Sequence, residues 1–257
     1  MNPLDQKILN RLSKQGIPKE EFERLIGNDL DLEILRAQGM NLILHNKSYK
    51  FQTALSSIDD TLFCIIDVET NGSKTDHHQI IEIGAVKFQN GKIIDTYESL
   101  VHCTEISDAI AEITGISVEQ TLDAPHLSHV MSEVRLFLGD AIFVGHAAKF
   151  DYNFVSAMME RIGLGGLLNR QLCTIDLAER TFESERYGLA YLNDMYDLYT
   201  DATHHRALSD AITTTKLLEQ VPPMIPNTIQ TAEELIAFSK EATRMKRLKP
   251  IKEEKTT

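Results

Sequence analysis

Apolar residues in this chain recur at two different spacings, and the changes of period mark the elements. Leu4, Ile8, Leu9 and Leu12 repeat at helical intervals. Leu62-Phe63-Cys64-Ile65-Ile66 is instead an unbroken apolar run, which reads as a fully buried strand. Residues 79–88 form a second strand, and Gln89-Asn90-Gly91-Lys92 is a hairpin turn with Asn-Gly at its centre. Residues 93–101 complete an antiparallel meander. Helical patterns follow at 108–114 and 127–138, then a short buried strand at 141–145. A helix over 150–162 stops at Gly163, and 172–175 reads as a last strand. Helices at 189–199 and 207–219 come next, the second ended by Pro222-Pro223. A meander followed by strands separated by helices predicts an α/β domain over residues 60–221. Its mixed five-stranded sheet would be covered by helices.

The flanks have other patterns. In residues 1–57, Pro18 falls in the first turn of a helix through Ile26, a favoured place for proline. Residues 31–38 suggest a third helix, and 41–44 and 49–51 flank a hairpin turn. This small helical plus hairpin region resembles a winged-helix module. A packing or protein-contact appendage is the other reading. Residues 1–60 carry eight basic and nine acidic residues, and a nucleic-acid reader should be more basic. In residues 222–257, Thr231-Ala232-Glu233-Glu234 is a capping box opening a helix expected to reach about Leu248. The polar end, 249–257, is expected to be disordered.

Composition narrows the class. A length of 257 residues suits one large domain with appendages. No apolar stretch approaches a membrane span, and the first residues lack a signal peptide's apolar region, so no membrane is expected. Cys64, Cys103 and Cys173 are scattered singly, which predicts buried thiols in a reduced, cytoplasmic protein. The formal net charge of −12 argues against a broad basic surface that coats duplex DNA. It is compatible with an enzyme that grips a few phosphates through bound metal. Charge is uneven: residues 240–255 hold seven basic and three acidic side chains.

Four carboxylates and a histidine carry the candidate chemistry. Asp67 and Glu69 follow the apolar run, and side chains two apart in a strand share a face. Two such carboxylates repel each other and lose hydration, which a divalent cation between them would relieve. A solvated strand end is the plainer alternative. Asp151 follows Gly145-His146-Ala147-Ala148-Lys149-Phe150, in the first turn of a helix, where the macrodipole favours an anion. An ordinary first-turn aspartate reads the same way. His205 and Asp210 are five residues apart, about 1.4 helical turns, so they do not share one stripe. They can flank one cleft if His205 lies on a loop before the helix. Imidazole suits general-base work at neutral pH, and His204 competes for that role. A surface loop histidine is again the plain alternative. Asp210 sits among Ala207, Leu208, Ala211 and Ile212, and burying a carboxylate is costly without a partner such as a metal.

Taken together, Asp67-x-Glu69, His146-x-x-x-Phe150-Asp151 and His205-Arg206-Ala207-x-x-Asp210 resemble the three motifs of the DEDDh (DnaQ-like) 3′–5′ exonuclease family. That family includes the epsilon proofreading subunits of bacterial DNA polymerase III. The resemblance spans residues 61–220. It implies a ribonuclease H-like fold and hydrolysis of phosphodiesters from 3′ ends with two divalent cations, Mg2+ or Mn2+. Asp67 would bridge both cations, Glu69 and Asp210 would complete the nucleophile-side site, and Asp151 would hold the second. His205 would be the general base. Ile113-Thr114-Gly115-Ile116 is similar to the family's segment beside the terminal nucleotide, so Thr114 and Ile116, with Thr70, are implied substrate contacts. Single-stranded DNA 3′ ends are the implied substrate, with RNA open, because the distinction rests on the 2′-hydroxyl. Proofreading in DNA replication is the implied role, and the catalytic subunit of DNA polymerase III a candidate partner. A catalytically inactive polymerase-associated binding protein is the alternative of another class. The chain departs from the family at Ala147, usually Asn, and at Asn71-Gly72, usually Thr-Gly.

Overall fold

The computed structural model describes residues 5–203 and 205–248. Leu4, the competing His204 and the expected disordered end at 249–257 lie outside the described residues. The N-terminal module comprises α1 (Gln6–Ser13), β1 (Ile17–Pro18), α2 (Lys19–Ile26), α3 (Asp29–Ala37), β2 (Leu42–His45) and β3 (Ser48–Phe51). Its strands form an antiparallel sheet in the order β1-β3-β2. Asp5 caps α1 by accepting the Ile8 N–H, and Asn28 with Asp31 makes a capping box for α3. Asn46 and Lys47 have φ of 49° and 63°, the left-handed pair that lets a two-residue hairpin follow the strand twist. Pro18 ends β1 and precedes α2 rather than lying in its first turn. Leu12, Ile17, Phe22, Met40 and Phe51 are buried in this module's own core.

The larger body follows with β4 (Phe63–Thr70), β5 (Ile80–Gln89), β6 (Lys92–Leu100), α4 (Asp108–Thr114), α5 (Val118–Thr121) and α6 (Leu127–Leu138). It continues with β7 (Ile142–Gly145), α7 (Lys149–Arg161), β8 (Gln171–Cys173), α8 (Thr174–Thr181), α9 (Leu189–Tyr196), α10 (Ala207–Glu219) and α11 (Ala232–Glu241). The five strands run in the order β6-β5-β4-β7-β8. The first three pair antiparallel, and β4, β7 and β8 pair parallel. Alternation along β4 divides two cores. Cys64, Ile66 and Val68 pack with Val130, Val134, Phe154 and Met158 of α6 and α7. Phe63 and Ile65 pack on the opposite face with Leu177, Ala211 and Leu217 of α8 and α10. This is the expected mixed sheet between helical layers.

The helix expected over 189–199 ends at Tyr196, and two further boundaries differ for tertiary reasons. The strand expected over 172–175 stops at Cys173, and Thr174 opens α8 instead. The Thr174 hydroxyl donates to the Gly145 carbonyl at 3.2 Å and pairs with His146, which ties the helix start to the end of β7. Leu177, Ala178 and Thr181 then recur on the buried face. The helix expected to reach Leu248 ends at Glu241. Residues 242–248 instead cross α8 as a strap. Arg180 donates to the carbonyls of Ala242 and Lys240 at 2.8 and 3.0 Å. Arg244 and Arg247 both pair with the buried Glu179, at 2.8 and 2.9 Å. Two guanidinium groups on a buried carboxylate outweigh about two more helical turns in solvent.

Both additions are fixed to the body at one junction. Arg170 pairs with Glu233 of α11 and lies 4.6 Å from the Phe51 ring centre. The Thr53 hydroxyl donates to the same Glu233 at 2.9 Å, and the Leu168 amide donates to the Gln38 carbonyl at 2.8 Å. Cys64 and Cys103 are buried free thiols, and Cys173 is half-buried. No helix among the described residues is long and apolar enough to cross a membrane.

Candidate active site

The site forms where β4 outruns its parallel neighbour. β7 pairs with Phe63–Ile65 and ends at Gly145, while β4 continues to Thr70. Beyond that point, among the described residues, no strand takes up the backbone donors on the β7 side of β4. Asp151, in the first turn of α7 and 4% exposed, takes one of them: its Oδ1 accepts the Val68 N–H at 3.3 Å. Gly145 makes this close approach possible, since a Cβ there would lie 3.1 Å from Asp151 Oδ2 and 2.9 Å from Ala148 Cα. Asp67 and Glu69 project from the face of β4 covered by α10, which brings Asp210 to them. Carboxylate oxygens of Asp67, Glu69 and Asp210 all lie within 4.8 Å of one another. Asp151 stands beside this trio, where its charge bears on Asp67, and is not one of the three.

His205 lies on a turn just before α10, as a shared cleft requires. Its φ is 62° and its imidazole is 60% exposed. Nδ1 lies 4.0 Å from Glu69 Oε1, and the His205 amide donates to Asp210 Oδ2 at 3.0 Å. The other motif histidine is placed differently. His146 is half-buried, with Nε2 donating to the Tyr187 carbonyl at 2.8 Å and Nδ1 2.9 Å from the Thr174 hydroxyl. Burial pulls its pKa down to about 4, so it remains a neutral structural group.

The implied substrate contacts Thr70 and Thr114 are buried, and the expected contact at Ile116 is corrected, because that side chain belongs to the core. Thr70 is buried at the end of β4 and donates to the Gly72 carbonyl at 2.8 Å. The Thr114 hydroxyl donates to the Ile110 carbonyl at 2.9 Å and accepts the Ile116 N–H at 3.1 Å. Ile116 has no exposed surface and packs with Ile81 and Cys103; Ile113 is the outward apolar side chain of this segment. One residue escaped the sequence reading. Glu82 of β5 sits directly across from Glu69, is buried, and accepts the Ala207 N–H at 2.9 Å. It reads in sequence as one polar position in an apolar strand, Ile80-Ile81-Glu82-Ile83, which is the signal that marks it.

Electrostatics identify what the cluster is suited to bind. Burial, followed by the charges of Asp151, Asp210, Glu69 and Glu82, holds the Asp67 pKa well above the ordinary carboxylate range. Burial and the charge of Asp210 push Glu69 up to about 7, and burial pushes Asp151 up to about 8. The nearby Arg206 is committed to Glu82 at 2.5 Å. An oxygen-only donor set whose members repel one another fits a hard divalent cation such as Mg2+ or Mn2+. These shifts set an expected pH dependence. A carboxylate whose folded pKa exceeds its unfolded value holds its proton more tightly when folded, so ionising it costs stability. The protein in EDTA should therefore melt at a progressively lower temperature as pH rises from about 5 to about 8.5, the window of these raised carboxylates. Added Mg2+ should raise the melting temperature more at the alkaline end. Calorimetry across that range tests this, and a melting temperature independent of pH would contradict it.

The relatives agree with this geometry. The RNase_T (Exonuclease) family matches residues 64–218. The chain belongs to this exonuclease family. The match covers β4 through α10, so all three motifs lie within it, and the family is the DnaQ-like 3′–5′ exonuclease family that the motifs resemble. The PolC-type DNA polymerase III of Staphylococcus aureus is 37% identical over 166 residues, 63% of this chain. The chain spans only 11% of that relative's length. Exonuclease X, solved with 5′-overhanging duplex DNA, superposes with a TM-score of 0.54 at 27% identity, over 69% of this chain and 99% of that one. Escherichia coli exonuclease I, solved with single-stranded DNA, has a TM-score of 0.59 at 14% identity, over 65% of this chain and 42% of that one, a likeness of fold alone. Residues 5–57 and the strap at 242–248 lie outside the family match.

Proposed function

We propose that this exonuclease removes nucleotides from DNA 3′ ends with two divalent cations, and that it serves proofreading beside a polymerase. The convergence of Asp67, Glu69 and Asp210, with Asp151 and His205 alongside, carries this reading. Asp67 would contact both cations, Glu69 and Asp210 would complete one site, and Asp151 would hold the other. Bound there, the cations would supply an activated water and stabilisation of the leaving oxygen. His205 takes the proton from the attacking water. Its exposed ring, with Nδ1 4.0 Å from Glu69 Oε1, can pass that proton to solvent. Asp210 restrains the turn that carries His205 through the 3.0 Å bond to its amide. Thr70 and Thr114 would act on the terminal nucleotide through the backbone they brace, by their bonds to Gly72, Ile110 and Ile116.

DNA as substrate is supported by the DNA complex of exonuclease X, and a polymerase partner by the kinship with PolC-type polymerase III. Residues 60–221 act as the exonuclease domain. Residues 1–57 serve as a packing or protein-contact appendage: α3 exposes Leu30 and Ile34 beside Asp29 and Glu33, a surface unsuited to a DNA groove. Residues 222–248 brace the body through α11 and its strap. The test uses 5′-labelled oligomers: single-stranded DNA, a duplex with a paired or mispaired 3′ end, and RNA. A ladder shortening from the 3′ end is expected only with Mg2+ or Mn2+, faster at the mispaired end. Absence of cleavage with either metal would overturn the reading, and cleavage of RNA alone would reassign the substrate.

A further inference from the structure

We propose that Glu82 is a positioning residue for the third motif, capping α10 from across the sheet and so fixing His205 and Asp210 against Asp67 and Glu69. The inference rests on the exonuclease reading above and adds a residue to its machinery. Three observations carry it. The first is the state of the α10 N-terminus. A helix start leaves backbone N–H groups without intrahelical acceptors, and a side chain at the N-cap usually supplies one. The N-cap of α10 is Arg206, which provides no side-chain cap. Glu82 supplies it from a distant strand: Oε2 accepts the Ala207 N–H at 2.9 Å. A carboxylate is also the favoured group at the positive end of a helix.

The second observation is that both Glu82 oxygens are committed. Oε1 pairs with the Arg206 guanidinium at 2.5 Å, and the side chain is only 7% exposed. Glu82 is therefore not a further cation ligand, although it lies directly across from Glu69. Among the described residues, the trio that meets at one point forms without it. The third is the contact between strand and helix. Gly84, two residues along and on the same face as Glu82, leaves no room for a Cβ, which would collide with the backbone at Ala207 and Leu208. The start of α10 thus rests directly on β5, where Glu82 receives both the Ala207 amide and the Arg206 guanidinium.

The consequences run along the turn. The Asp210 amide donates to the Arg206 carbonyl at 3.0 Å, and the His205 amide donates to Asp210. Ala207 anchors this small ring of bonds to the sheet that bears Asp67 and Glu69. Without Glu82 the ring keeps its internal bonds and loses its registry with the sheet. A displacement of that kind, far smaller than unfolding, costs a large factor in turnover when reacting groups must meet within a fraction of an ångström.

The test compares Glu82→Ala with Glu82→Gln. The glutamine keeps an oxygen for the Ala207 amide and removes the charge; the alanine removes both. In metal-free protein, amide exchange across residues 205–210 should accelerate severalfold in Glu82→Ala, the scale of a lost helix cap, and stay close to wild type in Glu82→Gln. With Mg2+, Glu82→Ala should lose roughly 10–100-fold in kcat with KM little changed, and Glu82→Gln should recover most of that loss. Exchange unaltered by Glu82→Ala would overturn the proposal, as would a glutamine variant as slow as the alanine one. If Glu82→Ala fails to fold, Glu82→Gln decides: wild-type exchange with retained turnover supports capping, and loss of turnover overturns it. Mn2+ binding followed by electron paramagnetic resonance separates a ligand role, since glutamine would then weaken binding as strongly as Asp67→Asn. A wild-type protein without nuclease activity would refute the exonuclease reading, while the exchange comparison would still decide the cap.

Discussion

Asp67→Ala and Asp210→Ala are each expected to abolish hydrolysis while leaving the metal-free fold intact. The loss should be at least about 10³-fold in kcat, because charge stabilisation by a bound metal is worth several kcal/mol and each ~1.4 kcal/mol is tenfold. Stability should move the other way. Asp67 is buried beside Asp151, Asp210, Glu69 and Glu82, and burial, then repulsion from these charges, holds its pKa high. Removing it relieves that repulsion, so the melting temperature of Asp67→Ala in EDTA should equal or exceed that of the wild type at pH 8. Asp210→Ala also loses the acceptor of the His205 amide, so its gain should be smaller. Mg2+ should stabilise neither variant as it stabilises the wild type. Near-normal hydrolysis by either variant would remove these residues from the site.

His205→Ala is expected to cost roughly 10²–10⁴-fold in kcat, the usual contribution of a positioned general base. His205→Asn is the companion variant, because His205 has a φ of 62° and asparagine tolerates that left-handed conformation better than alanine. Both should keep the backbone bond from residue 205 to Asp210, and both should retain cation-induced stabilisation. His146→Ala should show a different pattern. Its ring bonds to Tyr187 and Thr174 join the end of β7 to α8 and the 187 loop, so its loss should lower the melting temperature first. Kinetics and melting of the three variants separate the roles. A larger kcat loss at His146 than at His205, with melting unchanged, would reverse the assignment of the base.

Some of this was legible in the sequence because it depends on short-range chemistry. Period-two spacing places Asp67 and Glu69 on one face of β4 whatever surrounds them. Asn90-Gly91 dictates a tight turn, so β5 and β6 had to be neighbours. The capping box at Thr231 set the start of α11, and the five-residue separation of His205 from Asp210 allowed one shared cleft if a loop preceded α10. The motif resemblance then supplied the family, which the match over residues 64–218 bears out.

Tertiary structure decided what depends on residues far apart. Thr174 begins a helix because its hydroxyl meets the end of β7, and α11 stops at Glu241 because Glu179 draws Arg244 and Arg247 across α8. His146 and His205 are alike as residue types, and only burial of the first and exposure of the second assign them different work. Ala147 holds a φ of 76°, a conformation that costs a non-glycine residue about 1–2 kcal/mol and that asparagine adopts more readily. That departure from the family therefore affects the backbone beside Asp151, which the sequence alone could not show. Glu82 is the clearest case: its partner Ala207 lies 125 residues away. Local patterns fix which way a side chain points along its own element. What it meets there is set by packing between elements, where a buried carboxylate must find a donor, a cation or a proton.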